Sequence, residues 1–241
     1  MKIRRHVRTL LFYKALRTIQ RLLISNAEIL VLGDSHAEIF GDWRIVRALP
    51  RHYFRIASVG GATASGLDNP NSKTNAYSIF QRHLSLSTPT LIIIMLGEVD
   101  TGFVIWYRAQ KYEADVSESL DQAVTKYSTF ILNVNQRCKS VVVSTPLPTI
   151  TDDNDWGEVA NLRREVCASQ RDRTELTLKF NARIKALCGD NDIHFIDLDA
   201  ESLGDDGLVN PVLVNSNRSD HHYSNATYAR LLLQHLIPLL T

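Results

Sequence analysis

The chain has 241 residues, 44% hydrophobic and 22% charged, enough for one soluble domain with a full core and too few for two comfortable ones. Its net charge of +1 conceals an asymmetry, because the first 27 residues carry seven Lys or Arg and no acid, leaving 20 basic against 26 acidic residues in the remainder. A mildly acidic body with no basic stripe beyond its start excludes a nucleic-acid-binding domain.

Residues 3–24 place Ile3, Val7, Leu10 and Leu11 at helical spacing among Lys2, Arg4, Arg5, Arg8, Lys14, Arg17 and Arg21. A basic amphipathic helix is therefore expected over residues 1–27. Peripheral contact with an anionic membrane surface through residues 1–24, and packing on the domain or a second subunit, stand open for it, and a transit peptide is disfavoured because the segment is not serine-rich. The apolar run Leu10–Tyr13 is too short for a signal peptide or a membrane span. Cys138, Cys167 and Cys188 are odd in number and widely separated. They read as isolated thiols in a reducing, cytoplasmic compartment, and neither a disulfide framework nor a zinc site is expected from them.

Residues 28–241 form the domain proper. Strands are expected at 28–33, 53–58, 90–96, 140–144 and 193–197, and helices at 36–48, 76–87, 117–138, 172–188 and 225–239. That alternation predicts an α/β fold with a five-stranded, mainly parallel sheet, whose ligands gather at the carboxyl ends of the strands. In the first unit, Ile29–Leu32 is a short apolar run, Gly33 allows a sharp exit, and Asp34 or Ser35 can cap the helix that follows. A hydroxyl there sits at the positive end of a helix, where it can be presented as a nucleophile, although Asp and Ser are also ordinary caps.

The loops after the second and third strands carry Gly61 and Gly97-Glu98. Glu98 and Asp100 would repel negative charge developing nearby unless protonated or paired with Arg, and Arg108 follows in Trp106-Tyr107-Arg108. Such a pair would bind a hydroxyl-rich substrate or fix the loop. Residues 145–171 make a long connection of the kind that forms lids, with Trp156 available to stack on a sugar face. Arg163, Arg164, Arg171 and Arg173 lie in the same polar stretch.

Asp220-His221-His222-Tyr223-Ser224, just before the last helix, supplies a general base for Ser35. Alternation along an extended segment puts Asp220 and His222 on one side and His221 on the other, so His222 is the expected base and Asp220 its orienting partner, with His221 the alternative. A cation held by Asp220, His221 and His222 is the rival reading. Adjacent histidines pointing apart, with no third ligand from elsewhere, argue against it, and no metal or other cofactor is expected.

In this order, Gly33-Asp34-Ser35, Gly60-Gly61, Gly97-Glu98-Val99-Asp100 and Asp220 with His221 or His222 resemble the four blocks of the SGNH/GDSL hydrolase superfamily, over most of residues 28–240. The resemblance implies a flavodoxin-like three-layer α/β/α sandwich. It implies Ser35 as nucleophile, backbone N–H groups of Ser35 and Gly61 as the oxyanion site, and His222 with Asp220 as base and orienter. Asp34, His36, Glu98, Asp100, Arg108 and Trp156 are the expected substrate contacts. Two departures stand out: Val99 occupies the place of the third block's Asn, and Ser219, not an Asp, lies three residues before His222. The implied activity is cleavage of a small O-acyl ester, such as an acetyl group on a glycan. Acyl transfer to a glycan and a non-catalytic carbohydrate-binding scaffold are the alternatives, and a nucleotide or flavin binder is disfavoured because the Gly33–His36 turn has too few glycines to cradle phosphate.

Overall fold

A computed structural model describes residues 27–69, 71–152, 166, 168–217 and 220–241. The basic helix expected over 1–27 lies, but for Ala27, outside the described residues, as do Trp156, Arg163 and Arg164 of the long connection.

Five strands, β1 (Ala27–Gly33), β2 (His52–Ser58), β3 (Leu91–Met95), β4 (Ser140–Val143) and β5 (His194–Ile196), form one sheet in the order β2-β1-β3-β4-β5. Every pairing is parallel. The three central strands are buried on both faces, which is why they read in sequence as continuous apolar runs. Successive residues still serve opposite sides. Leu30, Leu32, Ile92, Ile94 and Val142 meet Phe80, Tyr127 and Phe180, from α2 (Ala76–Leu86), α4 (Val116–Asn135) and α5 (Gln170–Asp190). Ile29, Val31, Ile93, Met95, Val141 and Val143 meet Phe40, Ile45, Leu232 and Leu236, from the 3₁₀ turn Ser35–Gly41, α1 (Trp43–Ala48) and α7 (Asn225–Leu240). Two cores on either side of one sheet make the three-layer α/β/α sandwich.

The helix expected over 36–48 is broken at Asp42. Its N–H closes the 3₁₀ turn on the Ile39 carbonyl at 2.9 Å, while its side chain accepts from the Arg44 N–H at 2.8 Å and so caps α1. A helix the pattern did not announce, α3 (Ile105–Tyr112), continues from a π-helical turn at Asp100–Val104. Only Ile105 of α3 is buried, so no apolar stripe marks it. A single turn, α6 (Asp199–Ser202), follows β5. Among the described residues no helix is long and apolar enough to cross a membrane.

Candidate active site

The end of β1 is pinned on both sides. Gly33 pairs with Ser58 of β2 and with Met95 of β3. A Cβ on Gly33 would lie 2.4 Å from the Met95 carbonyl oxygen and 2.8 Å from the Ala37 Cβ, so close packing, not a special φ, demands glycine here. The Asp34 N–H then reaches the Met95 carbonyl at 3.4 Å, and the Ser58 hydroxyl donates to the Asp34 carbonyl at 3.1 Å. These bonds fix the step that carries Ser35, which is half-buried at the start of the 3₁₀ turn.

From the far end of the chain, Asp220 and His222 arrive at the same place. His222 Nε2 lies 2.9 Å from Ser35 Oγ, and its Nδ1 lies 2.7 Å from Asp220 Oδ1. The same carboxylate oxygen accepts the His222 backbone N–H at 3.0 Å, while Oδ2 accepts from Asn215 Nδ2 at 2.9 Å. Burial works to raise the Asp220 pKa, but the bonds from the His222 backbone and ring and the nearby imidazole charges outweigh it, and the carboxyl sits below its ordinary value. An acceptor held on Nδ1 favours the tautomer with its proton there and leaves the Nε2 lone pair facing the serine hydroxyl.

The local shape differs from the extended segment expected. Asp220 closes a turn on its own chain two residues on, and the His221 and His222 rings consequently lie 4.2 Å apart between centroids instead of on opposite sides. His36 joins them, its ring 4.6 Å from that of His222 and 5.7 Å from that of His221. The expectation that no distant histidine accompanies the pair is corrected accordingly. Asp34 holds His36 as Asp220 holds His222, accepting the backbone N–H at 2.9 Å with the ring Nδ1 at 3.1 Å from the same Oδ1. Asp34 is 1% exposed and His36 5%. They therefore form a buried floor beside Ser35 and not the open substrate contacts foreseen from sequence.

Val59–Ala62 is a tight turn closed by a bond from the Ala62 N–H to the Val59 carbonyl at 3.0 Å, and the Val59 N–H donates to the Gly33 carbonyl at 2.9 Å. Gly61, its third residue, has φ +73° and is exposed. Among the described residues, neither the Ser35 N–H nor the Gly61 N–H donates a hydrogen bond.

The third block plays a structural part. Asp100 is fully buried and accepts the Ala64 N–H at 2.6 Å and the Ser65 N–H at 3.0 Å, anchoring the turn Ala64–Gly66 behind the Gly61 loop. Burial pushes its pKa up, against the pull of those bonds and of the Arg108 charge. Asp100 is thus a loop anchor, which corrects its reading as a substrate contact; Glu98 is also buried, at 4% exposure, and among the described residues Arg108 forms no ion pair with either. Gly97 has φ +126°, and a Cβ there would lie 2.5 Å from Phe180 Cε1 and 2.6 Å from Thr145 Oγ1. Val99 is buried and offers no side-chain donor.

The long connection is tied down at its described ends. Arg173 donates to the Ile150 carbonyl and to Asp152, Asp152 accepts the Gln170 N–H at 2.8 Å, and Thr149 Oγ1 donates to the His221 carbonyl at 2.5 Å. These bonds bring residues 149–152 and the first turn of α5 together next to the histidine loop. A groove of about 670 Å³ between α2 and α4, lined by Leu67, Asn69, Asn75, Tyr77, Lys126 and Phe130 among others, includes none of Ser35, Asp220 or His222.

No protein-family model matches the chain, and no curated protein does. Its structure is similar to that of the acetyl xylan esterase AlAXEase, at 13% identity and TM-score 0.55, over 89% of this chain and all of that one. It is similar to an inhibitor-bound aryl esterase of M. smegmatis at 20% identity and TM-score 0.55, again over 89% and all of the two chains. A catalytic mutant of the acetylxylan esterase Axe2 from Geobacillus stearothermophilus matches at 15% identity and TM-score 0.55, over 89% of this chain and 95% of the other.

Proposed function

We propose that this chain, whose fold is that of the SGNH/GDSL hydrolases, is a serine esterase that removes a small acyl group, such as acetyl, from an O-acylated glycan or similar alcohol. The observation that carries the reading is the continuous line from Asp220 Oδ1 through the His222 ring to Ser35 Oγ, at 2.7 and 2.9 Å. Ser35 Oγ attacks the acyl carbon while His222 Nε2 takes its proton, and Asp220 steadies the imidazolium that forms. The carbonyl oxygen gains charge in reach of the Ser35 and Gly61 N–H groups. His222 then returns the proton to the departing alkoxide, and a water activated by the same nitrogen releases the acyl group from Ser35. Val99 withholds the side-chain donor that Asn would supply, and one such donor is worth roughly 10²–10³ in rate, so turnover is expected to be slow. The acyl and glycan preference draws support from the activities named for two of the similar structures, which are acetyl xylan esterases.

A fluorophosphonate probe tests the nucleophile directly. Wild type should be labelled and Ser35→Ala should not, and equal labelling of the two would exclude Ser35. Product analysis with an acetylated sugar, with and without a second sugar as acceptor, then separates hydrolysis from transfer.

A further inference from the structure

The histidine cluster has a chemistry that a serine esterase does not need. A general base uses one imidazole, yet His36, His221 and His222 each offer a ring nitrogen such that the three atoms lie within 4.8 Å of one another. Two of the rings are already prepared as ligands are: His36 Nδ1 rests on Asp34 and His222 Nδ1 on Asp220. A carboxylate behind an imidazole fixes the tautomer and the orientation of the ring, the usual arrangement around a bound transition metal. His221 is half-buried, with its ring 4.2 Å from that of His222 and 5.7 Å from that of His36 between centroids. Zn–N bonds of about 2.0–2.1 Å in a tetrahedron bring nitrogens to about 3.3 Å apart, a modest closing movement from the separations observed. The Ser35 hydroxyl, at 2.9 Å from His222 Nε2, lies where a fourth ligand or its water would sit.

We propose that His36, His221 and His222 form a binding site for a divalent transition-metal cation of the zinc type, and that the bound cation switches the esterase off. Three imidazole donors select a borderline-soft ion over Mg²⁺ or Ca²⁺, which want oxygen. The inhibition follows from one lone pair: His222 Nε2 cannot coordinate the cation and accept the Ser35 proton together. The binding half of the inference stands on the cluster alone, whereas the inhibitory half rests on the proposed role of His222.

The experiment uses the full chain without a histidine tag. Zinc binding is measured by calorimetry, and cobalt(II) binding by its visible absorption, on wild type, Ser35→Ala, His221→Ala and His36→Gln. Hydrolysis of an activated acetyl ester is followed in parallel, each protein being compared with its own metal-free rate. The expected result is one ion per chain, binding retained in Ser35→Ala, affinity weakened at least about tenfold in His221→Ala and in His36→Gln, and zinc inhibition weakened in step. Half-exposed His221 keeps the test sound if the buried His36 variant fails to fold. Absence of binding to an active wild-type protein, or binding unchanged by His221→Ala, overturns the site and leaves the esterase reading intact. Binding to Ser35→Ala and wild type alike, in a protein with no esterase activity and no probe labelling, retains the site and removes the esterase reading instead.

Discussion

Replacing Asp220 by Ala removes one carboxylate with two tasks, and the structure allows their sizes to be separated. Oδ1 accepts the His222 backbone N–H at 3.0 Å, which shapes the turn, and lies 2.7 Å from the ring Nδ1, which on the proposed mechanism orients the base. Only the second bond strengthens as the ring becomes imidazolium, and a hydrogen bond to a charged group is worth about 1.5–3 kcal/mol. At about 1.36 kcal/mol per decade, that is a loss of roughly 10- to 200-fold in kcat. The Asp220 side chain is 40% exposed, so water can replace part of its field, and the loss should fall short of the roughly 10⁴-fold seen when a buried triad carboxylate is altered. KM should change little, because the carboxylate lies behind the ring. Initial rates on an activated acetyl ester give kcat and KM, and a thermal melt checks that the turn survives. A loss below threefold would show that Asp220 does not support the base. A loss as complete as that of Ser35→Ala would show that the loop had collapsed and that the two tasks are not separable.

Two further outcomes follow from packing and burial. Gly33→Ala places a Cβ 2.4 Å from the Met95 carbonyl oxygen, where backbone must move, so it should cost about 1–3 kcal/mol in denaturant unfolding and lower activity by displacing Ser35; an unchanged midpoint would contradict the close approach. Asp199 is pushed up to about 6 by burial, against the pull of its bond from Asn181, so its folded pKa exceeds the unfolded value of 3.8. The folded chain then holds more protons between those values, stability from this group falls as pH rises through that window, and Asp199→Asn should raise Tm relative to wild type at pH 7 while giving little gain below pH 4. An equal Tm difference at both pH values would remove the titration from the explanation.

The parallel sheet was legible because a strand buried on both faces has to be a short apolar run, and Ile29–Leu32, Leu91–Met95 and Val141–Val143 offer nothing else. The 3₁₀ break after Gly41 was not, because Asp42 serves at once as the end of one element and the cap of the next, and either role alone leaves the same residue in sequence. Helix α3 escaped for want of a buried stripe. At the site, residue types and order were readable, and the pairing of Asp220 with His222 was expected from their spacing of two. The reason given for that spacing was the alternation of an extended chain, and the observed cause is a carboxylate that bonds its own backbone two residues later. The difference matters because a turn, unlike an extended segment, allows neighbouring rings to lie side by side. Asp100 illustrates the opposite error: a carboxylate beside the site looked like a ligand, and its two bonds to buried backbone N–H groups show that it holds a loop.

The signal that was missed is the same triplet occurring twice. Asp34-Ser35-His36 and Asp220-His221-His222 both read Asp-x-His, and in both the first residue accepts the backbone N–H and the ring Nδ1 of the third through one oxygen. In the first triplet the middle residue is the serine, and in the second it is the extra histidine. Facing the two turns across 187 residues of sequence gathers one hydroxyl and three imidazoles in a single place. His222 Nε2 lies 2.9 Å from Ser35 Oγ, and the ring of buried His36 lies 4.6 Å from that of His222 between centroids. A second oriented imidazole costs desolvation and side-chain freedom. On the cation proposal that cost is offset by a ligand that needs several oriented nitrogens at once, as a borderline-soft ion does.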